Sequence, residues 1–233
     1  MAASEFRRSS TATNTGSMLR MGDTVKRAYR STARAAAAAA RRGRIREAAV
    51  RLFVEQGYAA TTMRQIAVAA EVGERTLYDA FPSKAALFSH ALDVATVGDE
   101  EPVAVAARPE IVAARDDADP RAAIARHVAY SAALLDRAGD LIMVSVEAAG
   151  ADPDMRAAAD AGAAATHRVH LALAESLHAR GALRDGLDPA AAADVMYALV
   201  SPHVHRLLRR HRGWSGERYR GWLEESLARE LLG

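Results

Sequence analysis

Cysteine is absent from the 233 residues, which removes disulfides, thiolate zinc sites and thiol redox sensing from consideration. No apolar run approaches the ~18–20 residues needed to span a bilayer, and the N-terminus lacks the apolar segment of a secretory signal. The chain therefore reads as cytoplasmic, with no membrane partner. Alternating strand patterns do not occur either, so the fold class is all-α. Also missing are a nucleophile elbow, a Gly-rich phosphate loop and an H-E-x-x-H pair. These gaps argue against an enzyme, and no cofactor or metal is expected.

Lysine is nearly absent too. Only Lys26 and Lys84 stand among 31 basic residues, and alanine is abundant, a bias that fits a GC-rich genome. The total charge of +2 hides an asymmetry. Residues 1–93 carry 15 Lys and Arg against 8 Asp and Glu, whereas the remaining 140 carry 16 against 21. A front at +7 followed by a back at −5 directs phosphate affinity to the N-terminal part, with the salt dependence of counterion release.

That front contains RIREAAVRLFVEQGYAATTMRQIAVAAEVGERTLYDAFPSKAALFSHAL, residues 44–92. Ile45, Ala48, Ala49, Leu52 and Phe53 recur at helical spacing, and Gly57 closes that helix. Thr62 and Gln65 form a capping box opening a second helix that buries Ile66, Ala67 and Ala70. Glu71-Val72-Gly73 has the length of the turn in a helix-turn-helix. A third helix, Glu74 to Phe81, points Leu77 and Phe81 inward and leaves Arg75, Thr76, Tyr78 and Asp79 outside. Pro82 ends it, and Ser83 caps a fourth helix bearing Lys84, Leu87, Phe88, Ala91 and Leu92. A short exposed helix held by two others suits a DNA groove.

The order and spacing of Ala48-Ala49, Leu52-Phe53, Gly57-Tyr58, Thr61-Thr62, Ile66-Ala67, Ala69-Ala70, Val72, Thr76-Leu77-Tyr78, Phe81, Ser83-Lys84 and Leu87-Phe88 resemble the TetR family of bacterial transcriptional regulators. The resemblance implies an all-helical homodimer, operator reading by the third helix, and a variable C-terminal domain that releases DNA when a small molecule binds. It places Thr62, Tyr78 and Lys84 at phosphates and Arg75 and Thr76 at bases. The full set expected at DNA is Thr61, Thr62, Arg64, Arg75, Thr76, Tyr78 and Lys84. Glu71 stands where glycine is usual, Asp79 and Ala80 where aromatic, His or basic residues are frequent, and Ala85 where Glu is common. Glu74 and Asp79 would repel phosphate unless each pairs locally or accepts from a cytosine amino group. For Glu74, a carboxylate favoured by the helix N-terminal dipole is preferred.

Composition marks an unstructured tail over 1–34 and a change of character past Gly98, and the resemblance implies a DNA-binding domain over 35–97 with its helix-turn-helix about 62–81 and a ligand-binding and dimerisation domain over 98–233. Ala35–Ala40 has the highest helix propensity available, so the first helix begins well before Arg41. Residues 99–119 read as a linker with one short helix around Ile111. Asp119-Pro120, Asp152-Pro153 and Asp188-Pro189 each place a capping acid before a proline, announcing three helices. A further break is expected near Gly139, and a kink at Pro202 within a helix from Pro189 to about Arg212. Trp214 and Tyr219 flank Ser215 as a hydrophobic staple for the last helix.

The ending resembles the C-terminal part of TetR-type regulators, which implies a four-helix dimer interface; Leu199, Leu207, Trp222, Leu223 and Leu227 are its expected residues. Candidate liners of an inducer pocket are His127, Tyr130, Leu134, Met143, Glu147, His170, Met196 and Tyr197. Glu147 stands out because an acid on an apolar helix needs a partner. Two alternatives stay open: a repressor without an inducer, and a helical metal-dependent enzyme using His167 and His170, against which stands the lack of a third and fourth ligand in the pattern.

Overall fold

The computed structural model describes the backbone of residues 16–99 and 103–233, with side chains from residue 34 onward. The chain divides into two compact units, 1–44 and 45–233. In the first, backbone from Gly16 is already helical, as the start of α1 (Gly16–Ala60). This differs from the irregular tail expected through residue 34. Once an alanine-rich turn is nucleated, each added residue gains a hydrogen bond for little entropy, so the helix runs on. The expectation for residues 1–15 lies outside the described residues.

The second unit holds everything else. Its part of α1 buries Ile45, Ala48, Ala49 and Phe53, each at most 2% exposed, until Gly57 breaks the helix at φ 82, ψ 166, a conformation essentially restricted to glycine. The helices α2 (Met63–Ala69), α3 (Glu74–Ala80) and α4 (Lys84–Val97) follow. Thr62 and Gln65 make the full capping box on α2, worth about 1 kcal/mol. Ser83 accepts from the Ala86 amide at 3.0 Å to start α4.

Val105–Ala107 forms a single 3₁₀ turn, and α5 (Pro109–Asp116), α6 (Pro120–Ala148), α7 (Pro153–Ala179) and α8 (Pro189–Leu199) complete the middle of the chain. Asp119, Asp152 and Asp188 cap α6, α7 and α8 with their side chains, each followed by proline in the first turn. The break expected at Gly139 does not occur, because α6 runs through it. A Cβ at that position would lie 3.3 Å from His205 Nδ1, so the glycine admits a neighbouring ring instead of ending a helix.

The helix expected from Pro189 to Arg212 is in fact three pieces. Val200 leaves helical geometry at ψ 36, and Ser201 caps α9 (Pro202–Arg206), which passes into a π turn over Leu207–His211. Pro202 thus opens a helix rather than kinking one, at the position where its missing N–H costs nothing. Ser215 caps α10 (Gly216–Leu231), and Trp214 packs edge-on against Trp222, ring centres 5.9 Å apart.

Two apolar clusters hold the unit together. One gathers Phe53, Tyr58, Ile66, Leu77, Phe81 and Phe88 with Leu141 and Val144 of α6 and Met155 of α7. The other gathers α6, α7, α8 and α10 around Ile124, Leu177, Met196, Tyr219 and Leu227. The helix-turn-helix therefore shares packing with α6 and α7.

Candidate nucleic-acid interface and ligand cavity

α2 ends in a Schellman arrangement, with the Glu71 amide donating to Val68 O at 3.1 Å and the Val72 amide to Ala67 O at 3.0 Å. This geometry needs a left-handed residue between them. Glu71 supplies it at φ 54, the one non-glycine residue with positive φ among those described. Val72, half-buried against the first cluster, then sets the angle from which α3 departs.

On α3, Leu77 is fully buried while Tyr78 is 50% exposed, and Glu74, Arg75 and Asp79 are exposed. The helix is held by one side and offers the other. Glu74 lies 3.9 Å from Arg64 on α2, so one of the two carboxylates on this face has a local cationic neighbour. Thr62, Arg64, Arg75 and Tyr78 are exposed and Thr76 is half-buried, all around the α2–α3 junction.

Thr61 is different. It is 1% exposed, and its hydroxyl donates to Gly57 O at 2.8 Å and Leu52 O at 3.2 Å. Its side chain satisfies the carbonyls that α1 leaves open at its end and cannot reach a phosphate, which corrects its place in the expected DNA-facing set. Lys84 is also engaged. Its ammonium donates to Tyr58 O at 2.8 Å and Thr61 O at 3.0 Å and lies 4.1 Å from the centre of the Tyr58 ring. Burial lowers its pKa, opposed by Asp152. Two of its three donors thus tie α4 to the last turn of α1 and to Thr61 just after it, leaving one for a phosphate. Tyr58 packs on Phe53 and Phe88, with ring centres 5.7 and 5.5 Å away, and burial together with Asp152 and Asp154 pushes its phenol up to about 12.

A cavity of about 430 Å³ opens among α4, α6, α7 and α8, a volume in the usual range for small-molecule sites. Of the expected liners, Tyr130, Leu134, His170 and Tyr197 stand in its wall. The other four do not. Met196 is fully buried in the second cluster, Met143 is buried in α6, and His127 sits behind the wall with Nε2 3.0 Å from His170 Nδ1. Glu147 points out and pairs with Arg206 at 2.5 Å, so its required partner is a protein cation. Sequence reasoning missed Leu92 and Thr96 of α4, and Ser131, Ile142 and Arg168. The four-residue step from Leu92 to Thr96 signals a shared face, but a cavity-facing stripe has the same periodicity as a core-facing one.

Burial depresses the pKa of both His127 and His170, with His127 and His167 adding to the effect at His170. His167 itself lies 3.1 Å from Asp194. The two histidines of the metal alternative thus have separate partners. Among the described residues no group of three or more metal-ligating side chains is found.

Of the expected interface residues, Leu223 and Leu227 are 0% exposed within the single chain and belong to its own core, which corrects that expectation. Leu207 is 52% exposed, and Leu199 and Trp222 are half-buried. No helix among the described residues is long and apolar enough to cross a membrane.

Residues 45–91 match the family model described as bacterial regulatory proteins, tetR family. No curated protein matches the sequence. Among solved structures, NalD, the secondary repressor of the MexAB-OprM multidrug efflux pump in Pseudomonas aeruginosa, is 24% identical with a TM-score of 0.62, covering 84% of this chain and 98% of its own. A putative transcriptional regulator from Saccharomonospora viridis in complex with choline is 20% identical with a TM-score of 0.64, covering 82% and 97%. The SmeT–triclosan complex is 18% identical with a TM-score of 0.65, covering 83% and 92%. Likenesses at these identities carry the fold.

Proposed function

We propose that this chain, whose residues 45–91 match the family model described as bacterial regulatory proteins, tetR family, represses transcription by occupying a palindromic operator as a homodimer and leaves it when a small molecule enters the α4–α8 cavity. The observation that carries this reading is the double duty of α4. Its first residue, Lys84, is bonded to the loop beside the helix-turn-helix, and its later turns supply Leu92 and Thr96 to the cavity wall. A ligand that favours a different setting of α4 shifts the population away from the DNA-binding arrangement. NalD is named a repressor and two of the similar structures hold choline or triclosan, which supports both halves of the proposal by analogy.

In this reading α3 enters the major groove, with Arg75 and Thr76 facing base edges and Thr62, Arg64, Tyr78 and Lys84 facing phosphates. One seven-residue helix reads only a few base pairs, so two copies on half-sites about 34–36 Å apart are needed. The functional division falls near residues 97 and 98, with dimerisation and most of the ligand cavity on the C-terminal side and Leu92 and Thr96 of α4 reaching into the cavity wall from the other.

The test is fluorescence anisotropy with operator DNA and with unrelated duplexes for the wild type, Arg75→Ala and Thr62→Val. Arg75→Ala is expected to lose discrimination between the two DNAs, by about 1–3 kcal/mol for a bidentate base contact. Thr62→Val is expected to weaken both equally. An equal loss on both duplexes for Arg75→Ala removes its base-reading role.

A further inference from the structure

Two polar atoms in the cavity wall have no hydrogen-bond partner although they are shielded from solvent: Tyr130 Oη on α6 and His170 Nε2 on α7. His170 is 2% exposed. A buried polar atom without a partner costs about 1–3 kcal/mol, so two on residues that line one cavity mark where a ligand's polar group belongs. Around them the wall is mostly aliphatic, and among the described residues no Asp or Glu lines it. Arg168 is there, as is His203.

The His127 ring fixes what His170 can offer. When His127 Nε2–H donates across the 3.0 Å contact to His170 Nδ1, the neutral His170 ring carries its proton on the unpartnered Nε2. Burial keeps both rings in the neutral form. Tyr130 is likewise neutral, since burial raises its phenol, and Arg108 and Arg137 pull it down only partly. Both groups can then donate, and no described residue of the wall is a carboxylate that would compete for them or attract a cation.

We infer that the cavity takes an apolar molecule bearing one acidic group, a carboxylic acid or a phenol, whose oxygen accepts from Tyr130 Oη–H and His170 Nε2–H. This rests on the ligand-sensing reading above and narrows its ligand class. Choline, held by one of the similar proteins, is a cation, and a wall with no carboxylate among its described residues does not suit it. His127 acts through His170 as a positioning residue that sets the tautomer.

The experiment is calorimetric titration of the full chain with three probes of one chain length: decanoate, 1-decanol and decyltrimethylammonium. Decanoate is expected to bind about tenfold or more tightly than either other probe. Tyr130→Phe, which removes only the hydroxyl, and His170→Gln are each expected to lower decanoate affinity about tenfold while leaving 1-decanol affinity unchanged. Thermal melts run beside them keep loss of fold separate from loss of contact. If 1-decanol or the ammonium binds as tightly as decanoate, or if Tyr130→Phe weakens 1-decanol and decanoate alike, the acidic class is overturned while the cavity keeps its ligand role. If none of the three binds, the ligand-sensing reading itself falls and this inference with it.

Discussion

Glu71 occupies the left-handed position of a Schellman turn at φ 54, where a side chain with a Cβ costs roughly 1–2 kcal/mol. Replacing it with glycine relieves that cost and returns part of it as unfolded-chain entropy. Glu71→Gly is therefore expected to stabilise the protein by about 0.5–1 kcal/mol and raise Tm by about 1–4 °C, read by differential scanning calorimetry; a lower Tm would show that Glu71 makes a compensating contact. This residue shows what single positions disclose: the sequence departs from the family pattern at the place where the backbone is unusual. Thr61 and Lys84 were harder to read. Both match residues expected at DNA, yet the Thr61 hydroxyl is spent on the end of α1 and two donors of Lys84 on nearby carbonyls. A motif match names the position and not the partner, because long-range acceptors such as Tyr58 O do not appear in local spacing.

At the scale of elements, α6 and α7 are joined through the buried His127–His170 pair. Both imidazoles are pushed below their ordinary value of 6.5 by burial. As pH falls below that value the unfolded chain takes up protons that the folded pair refuses, so stability present above pH 6.5 is lost on acidification, by up to about 1.4 kcal/mol per pH unit for each ring. Urea unfolding between pH 7.5 and 5 is expected to give a smaller slope of stability against pH for His170→Phe than for the wild type. Equal slopes would mean that the pair is hydrated in solution.

The ends of helices were legible where chemistry is local: three Asp-Pro caps, a capping box and Ser83 stand where they were expected. The breaks that depend on a neighbour were not. Gly139 looks like a terminator until His205 is found against it, and the pieces around Pro202 depend on Ser201 acting as a cap. Glu147 belongs to a row on α6 in which Asp136 meets His205 and Arg209, Asp140 meets Arg210 and Glu147 meets Arg206. That row pins α9 and the π turn to α6, and only the paired sequence segments, 59–73 residues apart, reveal it.

For the whole molecule, the asymmetry of charge and the periodicity of residues 44–92 carried the resemblance, and the family model matches within that same stretch, at residues 45–91. The cavity could not be read in the same way, because half of its expected liners turned out to be core or surface. The expected interface divides similarly: Leu223 and Leu227 are internal, which leaves Leu207, with Leu199 and Trp222, as the apolar surface on which the proposed dimer would rest. Leu207→Glu is expected to yield a folded monomer in sedimentation velocity. Leu223→Ala is expected instead to cost about 2–5 kcal/mol of stability. A Leu207→Glu protein that sediments as the wild type does would place the dimer contact elsewhere.

The most direct test of the proposed regulator as a whole is selection of bound duplexes from a random pool by the purified 233-residue chain. Enrichment of one two-fold symmetric sequence, with half-sites centred about one helical turn apart or a multiple of it, is the predicted result. Recovery of no enriched sequence, or of a single unrepeated half-site, would contradict it.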